Sequence, residues 1–72
     1  MKKKVEYRES YKVSILEAYG NGVRSDGVAL FHQLTRRGQI ELLGELADTV
    51  YTDDNGPRPL CYAVLKNLLK EL

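Results

Sequence analysis

Along the last 45 residues of this chain, apolar side chains recur every three or four positions and polar ones fill the gaps. Residues 28–37, 39–51 and 60–72 each sort into one apolar arc and one polar arc, which predicts three amphipathic helices. Pro59 suits the first helical position of the last one, where a missing N–H costs nothing. Leu60, Val64, Leu68 and Leu72 fall on one face with Cys61, Leu65 and Leu69, opposite Lys66, Asn67 and Lys70. That arc covers about half the circumference, so the helix should pack against more than one neighbour.

In the helix over 39–51, Ile40, Leu43, Ala47 and Val50 form the stripe, widened by Leu42 and Leu46. Glu41, Glu45 and Asp48 line the other side. Gly44 is also on the outer side, at about 1 kcal/mol in helix propensity. Either the helix tolerates that cost or something approaches closely there, and tolerance is the favoured reading. The helix over 27–37 buries Val28, Leu30, Phe31 and Leu34, and turns His32, Gln33, Arg36 and Arg37 outward. Ser25 or Asp26 is the expected N-cap. Arg36 and Arg37 suit the C-terminal end of the dipole, and Gly38 the left-handed position that stops the helix.

The first third of the chain carries two patterns. From Val5 to Ile15 apolar or aromatic and polar residues alternate almost without fault, as in a half-buried strand. Yet Tyr7, Tyr11, Ile15 and Tyr19 step by four, Leu16, Glu17 and Ala18 favour helix, and Gly20 sits where a C-cap glycine belongs. The helical reading is preferred, from Ser10 to Tyr19, with residues 1–9 extended or frayed. The expected fold is mainly α, a compact bundle of about four short helices in a single small domain, residues 1–72. The alternative is α+β: an N-terminal strand pairing with its copy across a dimer, as in ribbon–helix–helix proteins. Residues 52–57, Thr-Asp-Asp-Asn-Gly-Pro, read as a loop.

Length sharpens the picture. A chain of 72 residues buries only about 60% of its unfolded surface. A single core this small supplies about 3–5 kcal/mol unless something staples it. Cys61 is the sole cysteine, so no internal disulfide exists, and with His32 it cannot make a four-ligand zinc site. Good packing or a homodimer remains. No stretch approaches the ~18 apolar residues of a membrane span. The Lys2-Lys3-Lys4 start resembles a secretory leader, but Glu6, Arg8 and Glu9 follow where an apolar core belongs. A lone thiol without a leader leads us to expect a cytoplasmic protein.

The net charge of +1 conceals an asymmetry. Residues 1–38 hold eight Lys/Arg against four Asp/Glu, a net of +4. Residues 39–72 hold three against six, a net of −3. Such polarity constrains partners more than the total does.

Candidate chemistry is sparse. Cys61 falls in an apolar arc and reads as a small buried hydrophobe rather than a nucleophile. His32 has no Ser or Cys at dyad spacing and reads as a surface histidine. Asp53-Asp54-Asn55-Gly56 lacks the twelve-residue ligand alternation of a calcium loop. We therefore expect no catalytic residues, no cofactor and no metal. A helix-turn-helix over 28–51 would aim Glu41, Glu45 and Asp48 at a polyanion, which repulsion forbids.

Binding is what the residues suggest. Tyr7, Tyr11 and Tyr19 crowd the basic segment beside Arg8 and Lys12, and tyrosine and arginine are enriched at interfaces. The same rings equally suit the core. The expectation is a non-enzymatic regulatory or inhibitory protein that docks on another protein, of a length common among phage and other mobile-element products. Tyr7, Arg8, Tyr11, Lys12, Arg36, Arg37, Glu41, Glu45 and Asp48 are its candidate contacts. The rival is a dimeric DNA-binding regulator touching phosphates through Lys2, Lys3, Lys4, Arg8 and Lys12.

Overall fold

Spacings of three and four close into helices in the computed structural model, which describes residues 3–52 and 58–72. The elements are α1 (Glu9–Gly20), α2 (Arg24–Gln33), α3 (Arg36–Thr52) and α4 (Arg58–Leu69). The fold is mainly α, and no strand occurs among the described residues. Lys2 and residues 53–57 of the expected loop lie outside them. α1 packs on α2, α3 packs on α4, and α4 also packs on α1. The core is built from Ile15, Phe31, Leu34, Leu42, Leu43, Leu46, Cys61, Val64 and Leu68. Tyr7, Tyr11 and Tyr19 pack against it, half-buried.

The helical reading of 10–19 holds, and the strand reading of 5–15 does not. One residue of that segment is paired as in a sheet: Val5 bridges in parallel to Leu34. Its N–H donates to the Gln33 carbonyl at 2.8 Å, and its carbonyl accepts from the Thr35 N–H at 2.8 Å. The extended N-terminal stretch thus finds its partner within the chain rather than in a second subunit.

That bridge also relocates the joint between α2 and α3. The helix expected over 27–37 ends at Gln33. Leu34 is extended (φ −80°, ψ 149°), and Thr35 starts the next helix by accepting the Gly38 N–H on Oγ1 at 3.0 Å. Arg36 and Arg37 therefore open α3, at the positive end of its dipole instead of the negative end of the preceding one. Gly38 does not stop a helix in the left-handed region, since among the described residues Gly22 alone is there, at φ +81°. Gly38 is needed for space: a Cβ would lie 3.1 Å from the Tyr7 backbone nitrogen.

α1 ends at Gly20, one residue beyond the expected Tyr19, and its left-handed glycine lies two residues beyond the expected Gly20. Gly22 takes the left-handed position, its N–H donating to the Tyr19 carbonyl at 3.2 Å. The Val23 N–H reaches the Ala18 carbonyl at 2.8 Å, completing a Schellman end. α2 then starts at Arg24 behind Val23, so neither Ser25 nor Asp26 is the cap. At Gly27 the two helices meet closely, because a Cβ there would lie 2.6 Å from the Tyr19 ring.

α3 is rotated from the expected stripe. Ile40 is 59% exposed, whereas Gln39 is buried and donates from Nε2 to the Phe31 carbonyl at 3.1 Å. This hydrogen bond lets an amide take a core position without an orphaned polar atom. Gly44 has nothing within 4 Å of its would-be Cβ, which agrees with a tolerated glycine within this chain.

Candidate functional site

The N-terminal segment and α3 form one surface. Tyr7 lies over the first turn of α3, and its hydroxyl donates to Glu9 Oε2 at 3.2 Å. Burial pushes its phenol well above the ordinary value, and the charges of Glu9, Glu45 and Glu41 push it further. One turn along α1, Lys12 Nζ donates to Thr49 Oγ1 at 3.3 Å, and Thr49 in turn donates to the Glu45 carbonyl at 3.1 Å. Tyr7, Lys12, Glu41 and Glu45 are thus gathered, with exposed Asp48 one turn beyond Glu45. Arg8 is exposed at the N-cap of α1, and exposed Arg37 precedes Glu41 by one turn of α3.

Other expected contacts go elsewhere. Tyr11 is half-buried, and its hydroxyl donates to Gln33 Oε1 at 3.3 Å. Tyr19 donates to the Asn67 side-chain oxygen, tying α1 to α4, while burial raises its phenol above the usual range. These rings complete the core. Arg36 turns toward a different region, a cleft of about 300 Å³ lined by Lys4, His32, Leu34, Arg36, Gln39 and Glu71. His32 is not merely solvated, because its Nε2 lies 2.9 Å from Glu71 Oε1.

Among the described cations expected at phosphates, Lys3 and Lys4 lie apart from Lys12. Lys4 Nζ donates to the His32 carbonyl at the end of α2. Lys3 lines an adjoining groove of about 590 Å³ with Lys4, Val5, Ala29, His32 and Gln33. Lys12 is on the α3 side, held by Thr49.

Cys61 has no exposed surface and sits in the core. Among the described residues, no group of three His, Cys, Asp or Glu side chains could hold a metal ion. No helix among them is long and apolar enough to cross a membrane.

The sequence reading missed one surface. Ile40 (59% exposed), Tyr51 (84%), Tyr62 (52%), Leu69 (50%) and Leu72 (51%) stay uncovered on or beside the α3–α4 pair. α4 has the more than one neighbour that its half-circumference apolar arc called for, α3 and α1, yet Leu69 and Leu72 of that arc stay uncovered. Compared with known proteins, the chain matches no family model, no curated protein and no solved structure.

Proposed function

We infer that this is a small non-enzymatic regulatory or inhibitory protein that acts in the cytoplasm by docking on another protein. One observation carries the reading: Tyr7 lies among the carboxylates of Glu9, Glu41 and Glu45, on the face of α3 that the cation Lys12 reaches through Thr49. A half-buried ring with charges of both signs nearby suits a protein surface of complementary pattern, where charge fixes register and partner choice. A polyanion would meet repulsion from the three carboxylates. The DNA-binding alternative is weakened by the same arrangement, because Lys3 and Lys4 are drawn to α2, away from Lys12.

The test is affinity capture from the native host with the full chain as bait, followed by titration of the captured protein. Glu45→Lys and Lys12→Glu should each weaken that complex at least about tenfold, with circular dichroism unchanged. Lys66→Glu, on α4, should leave it intact. Retention of generic duplex DNA that disappears in Lys3→Glu/Lys4→Glu would move the assignment to the nucleic-acid reading.

A further inference from the structure

α3 and α4 pack side by side and are joined by only five residues. Five residues reach at most about 18 Å, short of a 17-residue helix, so the pair runs antiparallel. Rising from their connection at the same ~1.5 Å per residue, the helices set Ile40 level with Lys70, Gly44 with Lys66 and Asp48 with Tyr62.

The inner directions are marked by contacts. On α3, Gln39, Leu42, Leu43 and Leu46 are buried, and Glu45 and Thr49 lie toward α1. On α4, Cys61, Val64 and Leu68 are buried, and Asn67 and Leu60 lie toward α1. At about 100° per residue, Ile40, Gly44 and Tyr51 then share the outward side of α3, and Tyr62, Lys66 and Leu69 that of α4. The result is an apolar seam along the outside of the helix pair, facing away from α1 and from the Tyr7 surface.

Two rings of about 150–250 Å² each and three aliphatic side chains exceed the scattered exposure of an ordinary monomer. With about half of most of these side chains exposed, they form the apolar centre of an interface whose remaining area comes from the charged margins. The seam is also electrically self-complementary. Its α3 margin carries Glu41 and Asp48, and its α4 margin carries Lys66 and Lys70. Lys66 Nζ is 5.5 Å from the centre of the Tyr62 ring, which folds this cation down along the seam. Between Glu41 and Asp48, the bare Gly44 backbone leaves a notch with nothing within 4 Å.

We propose that a second copy of this chain covers this face, related by a two-fold axis parallel to the helices, to give a homodimer with a four-helix interface. That axis lays α3 of one copy antiparallel on α4 of the other. Glu41 then meets Lys70 of the second copy, Asp48 meets Lys66, and the Gly44 notch receives the Lys66 stem. An axis across the helices would instead stack α3 on α3 and bring Glu41 and Asp48 toward their own copies, which like-charge repulsion disfavours. The Tyr7 ring and Glu45 stay open on the other side, with Glu41 and Asp48 on the edge between the two faces.

Sedimentation equilibrium of the full chain tests this. The expected species has twice the 8.2 kDa chain mass. Ile40→Glu and Leu69→Glu should each give a folded monomer, while Val13→Glu, at an exposed α1 position off the seam, should stay dimeric. Glu41→Lys and Lys70→Glu should each dissociate at least about tenfold more readily, and mixing the two variants should restore a heterodimer. Gly44→Leu should dissociate the dimer with helicity intact. A wild-type chain that remains at 8.2 kDa up to about millimolar concentration overturns the proposal. So does a dimer indifferent to Ile40→Glu and Leu69→Glu. Neither outcome touches the partner titration with Glu45→Lys, so the two readings fail separately.

Discussion

Val5 and Leu34 stand side by side as a two-residue parallel bridge, with hydrogen bonds of 2.8 Å on both sides of Val5. This contact holds the extended N-terminus against the α2–α3 joint and keeps Leu34 out of helical geometry. Leu34 is thereby aimed into the core, at 1% exposure.

Val5→Pro removes the N–H that reaches the Gln33 carbonyl while leaving the neighbouring carbonyl in place. Stability should fall by about 1–2 kcal/mol, against near neutrality for Val5→Ala, which keeps the backbone bond. For a chain this short, each kcal/mol lowers Tm by about 4–8 °C. Thermal melts of the two variants are the check. Equal melting temperatures would show that the bridge contributes nothing.

Gly27→Ala sets two effects against each other. Helix propensity favours alanine by about 1 kcal/mol. The new Cβ, however, would lie 2.6 Å from the Tyr19 ring, which is held by its hydrogen bond to Asn67. Displacing that ring should win, for a net loss of about 1–3 kcal/mol in urea unfolding. In a Tyr19→Ala background the same change should become stabilising, and the sign reversal in a double-mutant cycle is the diagnostic result.

Alkaline pH should loosen the fold through Tyr7. Burial and the Glu9, Glu45 and Glu41 charges raise its phenol above the unfolded value of 10.0. The native state therefore holds its proton where the unfolded chain releases it. This contribution is whole below pH 10.0 and is lost as pH rises through the raised native value. Tyr19, raised mainly by burial, acts in the same direction. Phenolate absorbance should show a late-titrating ring that vanishes in Tyr7→Phe. The same variant should flatten the decline of stability above pH 10.0, measured by denaturant melts. An unchanged slope would place the cause elsewhere.

The nine candidate contact residues divided along a physical line. Glu41, Glu45 and Asp48 were legible because helical spacing alone sets them on one exposed side. Tyr7 and Lys12 are close in sequence, but nothing local says that both come to rest against α3. Arg36 was grouped with Arg37 as the end of one helix. Yet Arg36 faces the His32–Glu71 cleft and Arg37 precedes Glu41, because the chain breaks two residues before Arg36 rather than after Arg37. The exposed Ile40–Leu69 seam was visible only as an excess of apolar arc.

By itself the sequence determined that this chain is helical, roughly where each helix runs and which side chains each could bury: Phe31 and Leu34, Leu42 and Leu46, Cys61, Val64 and Leu68. These follow from short-range periodicity, which every residue carries in its own spacing. Tertiary structure alone decided where α2 stops, which tyrosines turn inward, and that Tyr7 and Lys12 come to rest against α3. Those outcomes depend on which surface covers which, and on backbone hydrogen bonds between segments far apart in the chain. Spacing says that a face must be covered; only packing says by what.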